Sequence, residues 1–151
     1  MRILIQRVKE ASVSIGDSVY SQINKGLLIF LGIKHSDCKM SAQYLAHRCA
    51  NLRIFEDAQG KMNLSVKDIS GQLLVISQFT LYADTQKGNR PSFTDAAAHD
   101  IAEKLYNDFI HYLSQAIGID NVKSGVFGAM MDIQLINDGP VTVMVESKET
   151  N

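Results

Sequence analysis

Ser77-Gln78-Phe79-Thr80 sets three hydrogen-bonding side chains and one aromatic ring directly after the apolar run Leu73-Leu74-Val75-Ile76. A buried apolar strand is rigid, and ligands collect in the crevice at the carboxyl ends of parallel strands, where such a polar tail emerges. A threonine hydroxyl there can attack an ester or orient a water. As a nucleophile it needs an adjacent base, and no histidine is close in sequence. The competing reading is a strand whose Ser77, Gln78 and Thr80 satisfy backbone groups while Phe79 packs inward. Downstream, Lys87-Gly88-Asn89-Arg90-Pro91-Ser92-Phe93 brings two cations and an aromatic near that strand end. Lys87 and Arg90 fit phosphate or ribose contacts as well as they fit a solvated loop. A third segment, Asn137-Asp138-Gly139-Pro140, lies between two strand-like runs, 131–136 and 141–145. Proline removes a ladder donor, so these residues read as a tight turn reversing the chain between two strands. Its Gly-Pro bond is the place where a cis peptide would sit, although only about 5% of X-Pro bonds in folded proteins are cis.

Other chemistries find no support. There is no Gly-x-Ser-x-Gly elbow, no phosphate loop ending in Gly-Lys-Ser/Thr and no Gly-x-Gly-x-x-Gly after a strand. His35, His47, His99 and His111 show neither i, i+4 pairing nor adjacent ligand spacing, and read as surface or helix-face residues. The neighbouring carboxylates Glu56 and Asp57 precede turn chemistry and read as solvated. No metal and no cofactor is expected.

The elements that must hold these residues follow from hydropathy. Ile3, Ile5, Val8, Val13 and Ile15 alternate in the strand period, and Gly16-Asp17 turns the chain into a second strand, Val19 to Ile23. Gly26 to Gly32 encloses a continuous apolar run, expected to be buried on both faces. From Asp37, taken as the N-cap, Met40, Tyr44, Leu45, Cys49 and Leu52 recur near the helical period. Short strands are expected at Ile54-Phe55 and from Met62 to Val66. Asp95 is the expected cap of a second helix, in which Ile101, Leu105, Phe109, Tyr112, Leu113 and Ala116 form an apolar stripe that Gly118 ends. The last third returns to strand patterning. The sum is an α/β domain of mixed, largely antiparallel sheets packed with two main helices, a single domain over residues 1–151.

With 151 residues, 21% charged residues and a formal net charge of −1, the chain lacks the basic balance that announces nucleic acid through bulk electrostatics. Any RNA partner must be held locally. Cys38 and Cys49 are too few for a disulfide framework and point to a reducing cytosol. No apolar stretch near 18 residues is present, so neither a membrane nor a leader is expected and the location expected is cytoplasmic.

Taken together, Gln6-Arg7-Val8, Ala11-Ser12-Val13, Gly26-Leu27-Leu28, Arg53-Ile54-Phe55, Gly60-Lys61-Met62-Asn63-Leu64, Ser77-Gln78-Phe79-Thr80-Leu81, Arg90-Pro91-Ser92-Phe93 and Asn137-Asp138-Gly139-Pro140-Val141-Thr142 closely resemble the bacterial D-aminoacyl-tRNA deacylase family, historically D-tyrosyl-tRNA deacylase. The resemblance covers the whole chain. It implies hydrolysis of the ester of D-aminoacyl-tRNA, with the 3′-terminal adenosine and the aminoacyl group as the recognised parts, by a homodimer with its active sites at the subunit interface. It further implies that Gly139-Pro140 is cis and reaches into the partner's pocket, where backbone carbonyls hold the substrate ammonium and exclude L side chains, with Asn137 beside them. Glycine has no side chain to reject, so glycyl-tRNA is expected to be accepted too. For the chemical step it implies Thr80 with Ser77, Gln78 and Phe79, either through an acyl-threonine or through an oxyanion hole of backbone amides with help from the tRNA ribose hydroxyl. The second route needs no base that the sequence lacks. Some eukaryotic relatives suggest another class altogether, a non-enzymatic nucleic-acid-binding dimer, which the near-neutral charge disfavours.

Overall fold

A computed structural model describes residues 1–148; residues 149–151, the end of the expected domain, lie outside the described residues. The elements in chain order are β1 (Arg2–Ile15), β2 (Ser18–Ile23), β3 (Gly26–Gly32), α1 (Lys39–Asn51), β4 (Phe55–Glu56), β5 (Met62–Leu64), β6 (Gln72–Ser77), a 3₁₀ turn (Phe79–Tyr82), α2 (His99–Ile117), a second short 3₁₀ turn (Ile119–Asn121), β7 (Val122–Ser124) and β8 (Asp132–Glu146). The architecture is α/β: a six-stranded mixed sheet, a small antiparallel β4–β5 sheet and two helices.

Strand β1 organises the main sheet. One edge pairs antiparallel with β3 through residues 2–8 and with β2 through residues 11–15, while the other edge pairs antiparallel with β8. Beyond β3 the sheet turns parallel, β3 with β6 and β6 with β7. Pleating then divides the apolar runs between two cores. Leu27, Ile29, Leu31, Leu73 and Val75 face α1 and α2, together with Leu45, Leu105, Phe109 and Leu113. Leu28, Leu74 and Ile76 face the other way, joining Val8, Val13 and Ile23, with Met131, Ile133 and Leu135 packed against them. Burial on both faces explains why β3 and β6 read as unbroken apolar runs.

Three expectations change. Asn137 to Pro140 is not a turn: β8 runs without reversal from Asp132 to Glu146. Gln6 lies opposite Thr142 and Val8 opposite Asn137, so Arg7 alone faces residues 138–141. The turn-forming residues are thus absorbed as a bulge on a strand that pairs only with β1, which is where a sheet tolerates proline. The cap of α1 is Cys38, whose backbone N–H donates to Ser41 Oγ at 3.3 Å. Asp37 instead pairs with the Met1 amino group and accepts the Lys34 N–H at 2.8 Å. The cap of α2 is Ala98, not Asp95. Ser147 accepts the Met1 amino group on Oγ and donates its N–H to the Met1 carbonyl, each at 2.8 Å.

Candidate active site

Strands β3 and β6 are parallel and in register to their carboxyl ends, with Leu31 opposite Ser77. There the apolar runs stop and a cleft of about 660 Å³ opens. Leu31, Ile33 and Ile76 form its floor; Ser77, Gln78, Phe79 and Thr80 form one wall; Ala96, Ala97, His99 and Ala102 approach from the start of α2; and residues 127–131 close the far side. Only Ser77 of the four motif residues belongs to the strand, because the chain curls at Gln78 into the 3₁₀ turn. The Gln78 N–H still donates to the Leu31 carbonyl at 2.8 Å, which ties the curl to β3.

This geometry exposes backbone. Phe79 and Thr80 open the turn, so their amides have no carbonyl within it to bind and are available to an incoming oxyanion. Gln78 Nε2 donates to Thr80 Oγ1, which fixes the hydroxyl. Phe79 and Thr80 are both exposed, and the Phe79 ring packs edge-on against Phe93 with centroids 5.1 Å apart. Phe93 lies just beyond the loop carrying Lys87 and Arg90, whose base is closed by paired hydrogen bonds between Asp84 and Ser92 at 2.8 and 2.9 Å. The cations are exposed and do not line the cleft.

Asn137, Gly139 and Pro140 do not line it either. The Gly139-Pro140 peptide is cis and both residues are exposed, with Gly139 at φ +120°. Arg7 braces the segment from beneath. This buried guanidinium donates from Nε to the Asp138 carbonyl at 3.0 Å and from Nη1 to the Ile54 carbonyl at 2.6 Å, and lies 3.4 Å from the Asp138 carboxylate. A Cβ on Gly139 would overlap Arg7 Nη2. The sequence placed Arg7 inside a motif without a task; a buried arginine opposite a bulge is visible only in three dimensions. Among the described residues, buried Asn137 Oδ1 has no hydrogen-bond partner.

His99, read from spacing as a surface histidine, is exposed yet lines the cleft because α2 begins at its rim. The 3₁₀ turn is itself held from behind: Arg2 Nη1 donates to the Leu81 carbonyl at 2.8 Å, its guanidinium lies over the Tyr82 ring, and it pairs with Glu146 at the end of β8. Burial raises the Tyr82 hydroxyl pKa above the ordinary tyrosine value. Among the described residues, no cluster of three or more His, Cys, Asp or Glu has the spacing of a metal site, and no helix is long and apolar enough to cross a membrane.

Fold and site together define an α/β protein with a cleft of ligand size at parallel strand ends, apolar in its floor and edged by a hydroxyl, an amide and free backbone N–H groups. Residues 4–146 match the family described as D-Tyr-tRNA(Tyr) deacylase. The chain is 55% identical over 148 residues to the D-aminoacyl-tRNA deacylase of Bacillus cereus, covering 98% of this chain and all of that one, and equally so to that of Bacillus anthracis. Its fold superposes with a TM-score of 0.94 on a solved c-Myc DNA unwinding element binding protein, 39% identical over 98% of this chain and 99% of that one. A probable eukaryotic D-amino acid tRNA deacylase, 17% identical, shares the fold with a TM-score of 0.84 over 96% of this chain and 98% of that one. The chain therefore belongs to the D-tyrosyl-tRNA deacylase family. It is a hydrolase of the D-aminoacyl-tRNA deacylase class.

Proposed function

We propose that this chain is a single domain and works in the cytoplasm as a chirality proofreader, cleaving the ester between a D-amino acid and the 3′-terminal adenosine of tRNA and acting on glycyl-tRNA as well. The observation that carries the reading is the pair of free amides at Phe79 and Thr80, at the mouth of a cleft large enough for an aminoacyl-nucleoside. The ester carbonyl oxygen lies against these amides as charge develops on it, and water attacks with help from the neighbouring ribose hydroxyl. Ser77 and Gln78 hold the turn and the Thr80 hydroxyl, Phe79 offers its face to the terminal base, and Lys87 and Arg90 meet the phosphates that follow.

Selection against L substrates falls to Gly139-Pro140 with Asn137. These residues do not line the cleft of their own chain, so they act on the cleft of a second copy in a homodimer whose sites span the interface. Exposed apolar residues around both features, Phe79 and Met130 at the cleft and Ile136 and Met144 on β8, support such a contact. Outward carbonyls at 139–140 accept the substrate ammonium and leave no volume for an L side chain, while glycine passes. The test is turnover of D-tyrosyl-, L-tyrosyl- and glycyl-tRNA at substoichiometric protein. Release of D-tyrosine and glycine with L-tyrosyl-tRNA spared is expected, and equal cleavage of both tyrosyl enantiomers would overturn the selection mechanism. The likeness to a DNA unwinding element binding protein gives a second reading, duplex DNA binding, which the net charge of −1 disfavours. Tight duplex binding without turnover would favour it.

A further inference from the structure

The cleft carries one titratable side chain to which the deacylase reading gives no task. Of the described residues lining it, His99 alone has an ionisable side chain; residues 127–131 and 77–80 bring no charge to it. The imidazole is braced in place. It stands edge-on to Phe127, with ring centroids 4.9 Å apart and planes 82° to each other. Its Nε2 faces Gly128 so closely that a Cβ there would come within 3.0 Å. Phe127 packs in turn on Tyr106, with centroids 5.5 Å apart, and the Tyr106 hydroxyl donates to the Val75 carbonyl at 2.8 Å. That chain of contacts ends on β6, the strand that delivers Ser77. The imidazole therefore holds a fixed position relative to the reacting end of the cleft.

Its neighbours indicate what it meets. The floor is apolar and buried, whereas His99 and Met130 are exposed at the mouth. An RNA whose acylated end lies against Thr80 at that mouth presents its sugar-phosphate to the rim, where it is the polar part of the substrate. We propose that His99 is a substrate-contacting residue, whose imidazole hydrogen-bonds the sugar-phosphate of the acylated terminal nucleotide. The proposal rests on the deacylase reading above.

The position offers an unusually clean variant. His99 is the first residue of α2, where proline fits because its missing N–H has no partner within the helix. Ala98 already has ψ 149°, in the range that a residue before proline prefers. His99→Pro thus removes the imidazole and leaves the helix intact, as an unchanged thermal midpoint will verify, and His99→Gln restores a side-chain donor. With D-tyrosyl-tRNA we expect His99→Pro to raise KM about tenfold, the worth of one lost hydrogen bond to a charged or polar partner, at nearly constant kcat. His99→Gln recovers part of that loss, which a purely structural role would not predict. Unchanged KM in His99→Pro, or a fall in kcat at constant KM, would overturn the contact while leaving the deacylase reading in place. Absence of wild-type turnover would overturn both.

Discussion

Thr80 and Arg7 call for opposite tests, because the role proposed for Thr80 is toward the substrate and that of Arg7 is toward the backbone. If the opening amides of the turn stabilise the oxyanion, Thr80→Ala keeps its single-turnover rate with D-tyrosyl-tRNA within about tenfold, whereas loss of a covalent nucleophile costs about 10⁴-fold or more. Rapid-quench measurement separates the two, and a trapped acyl-Thr80 would decide for the nucleophile. Arg7 is different because its guanidinium bridges two carbonyls, of Ile54 and Asp138, out of solvent. Arg7→Ala leaves both without their donor and is expected to cost about 3 kcal/mol in urea unfolding. Arg7→Lys recovers only part of this, since an ammonium lacks the planar fork. Gly139→Ala combines a φ of +120° with the overlap on Arg7, so the segment must shift, and the D over L preference in deacylation should fall more than stability does. An unchanged preference in that variant would remove 139–140 from the selection device.

Elements were legible where one pattern dominated and illegible where two rules competed. The stripe of α2 and the apolar runs of β3 and β6 follow directly from their periods, and the structure has them. The helix caps differ from expectation for two reasons: the Asp37 carboxylate is taken by Met1 and the Lys34 N–H, and α2 begins only at His99, which makes Ala98 its cap and leaves Asp95 upstream of the helix. Asn137 to Pro140 has turn chemistry, yet β8 continues, because a bulge on a strand paired along one side costs the sheet few hydrogen bonds. The cleft position of Ser77 to Thr80 was readable from the strand before it, whereas His99 and Arg7 were not, since neither is near the motif in sequence. The β4–β5 hairpin makes its own prediction. Asp57 accepts the Asn63 side-chain amide at 2.7 Å and the Lys61 and Gln59 N–H groups at 3.0 and 2.9 Å, and these bonds, the first above all, hold its carboxyl below the usual aspartate pKa. A depressed folded pKa gives stability that is fully present above the unfolded pKa, about 3.9, and lost as pH falls through the folded one. Asp57→Asn should therefore be less stable than the parent at pH 7, with the gap narrowing below about pH 4 in denaturant titrations at each pH.

For the whole molecule, the proposed sharing of a site between two copies makes a prediction that no single variant can. Phe79→Ala chains alone are expected to turn over poorly, and Gly139→Ala chains alone to cleave with relaxed chirality. In a dimer formed from both, one site combines the intact Phe79 of one chain with the intact Gly139-Pro140 of the other. Co-refolded mixtures should thus regain D-selective cleavage of tyrosyl-tRNA, whereas a site confined to one chain would leave the mixture's preference relaxed. Light scattering should give twice the 16.7 kDa chain mass for the parent. Strand β8 has a further consequence. It begins one residue after Met131 on the cleft wall, passes through Gly139-Pro140, and ends at Glu146, which Arg2 ties to the turn bearing Thr80. The strand is in effect a ruler graduated in residues, with its zero at the cleft. Because side chains alternate faces at every step, inserting one residue between 132 and 137 would invert the ruler's parity as well as lengthen it. Natural variation in length should accordingly be absent from that stretch and permitted in the loop at 84–92, so chain spacing itself becomes a fingerprint of the stereochemical filter proposed for 139–140.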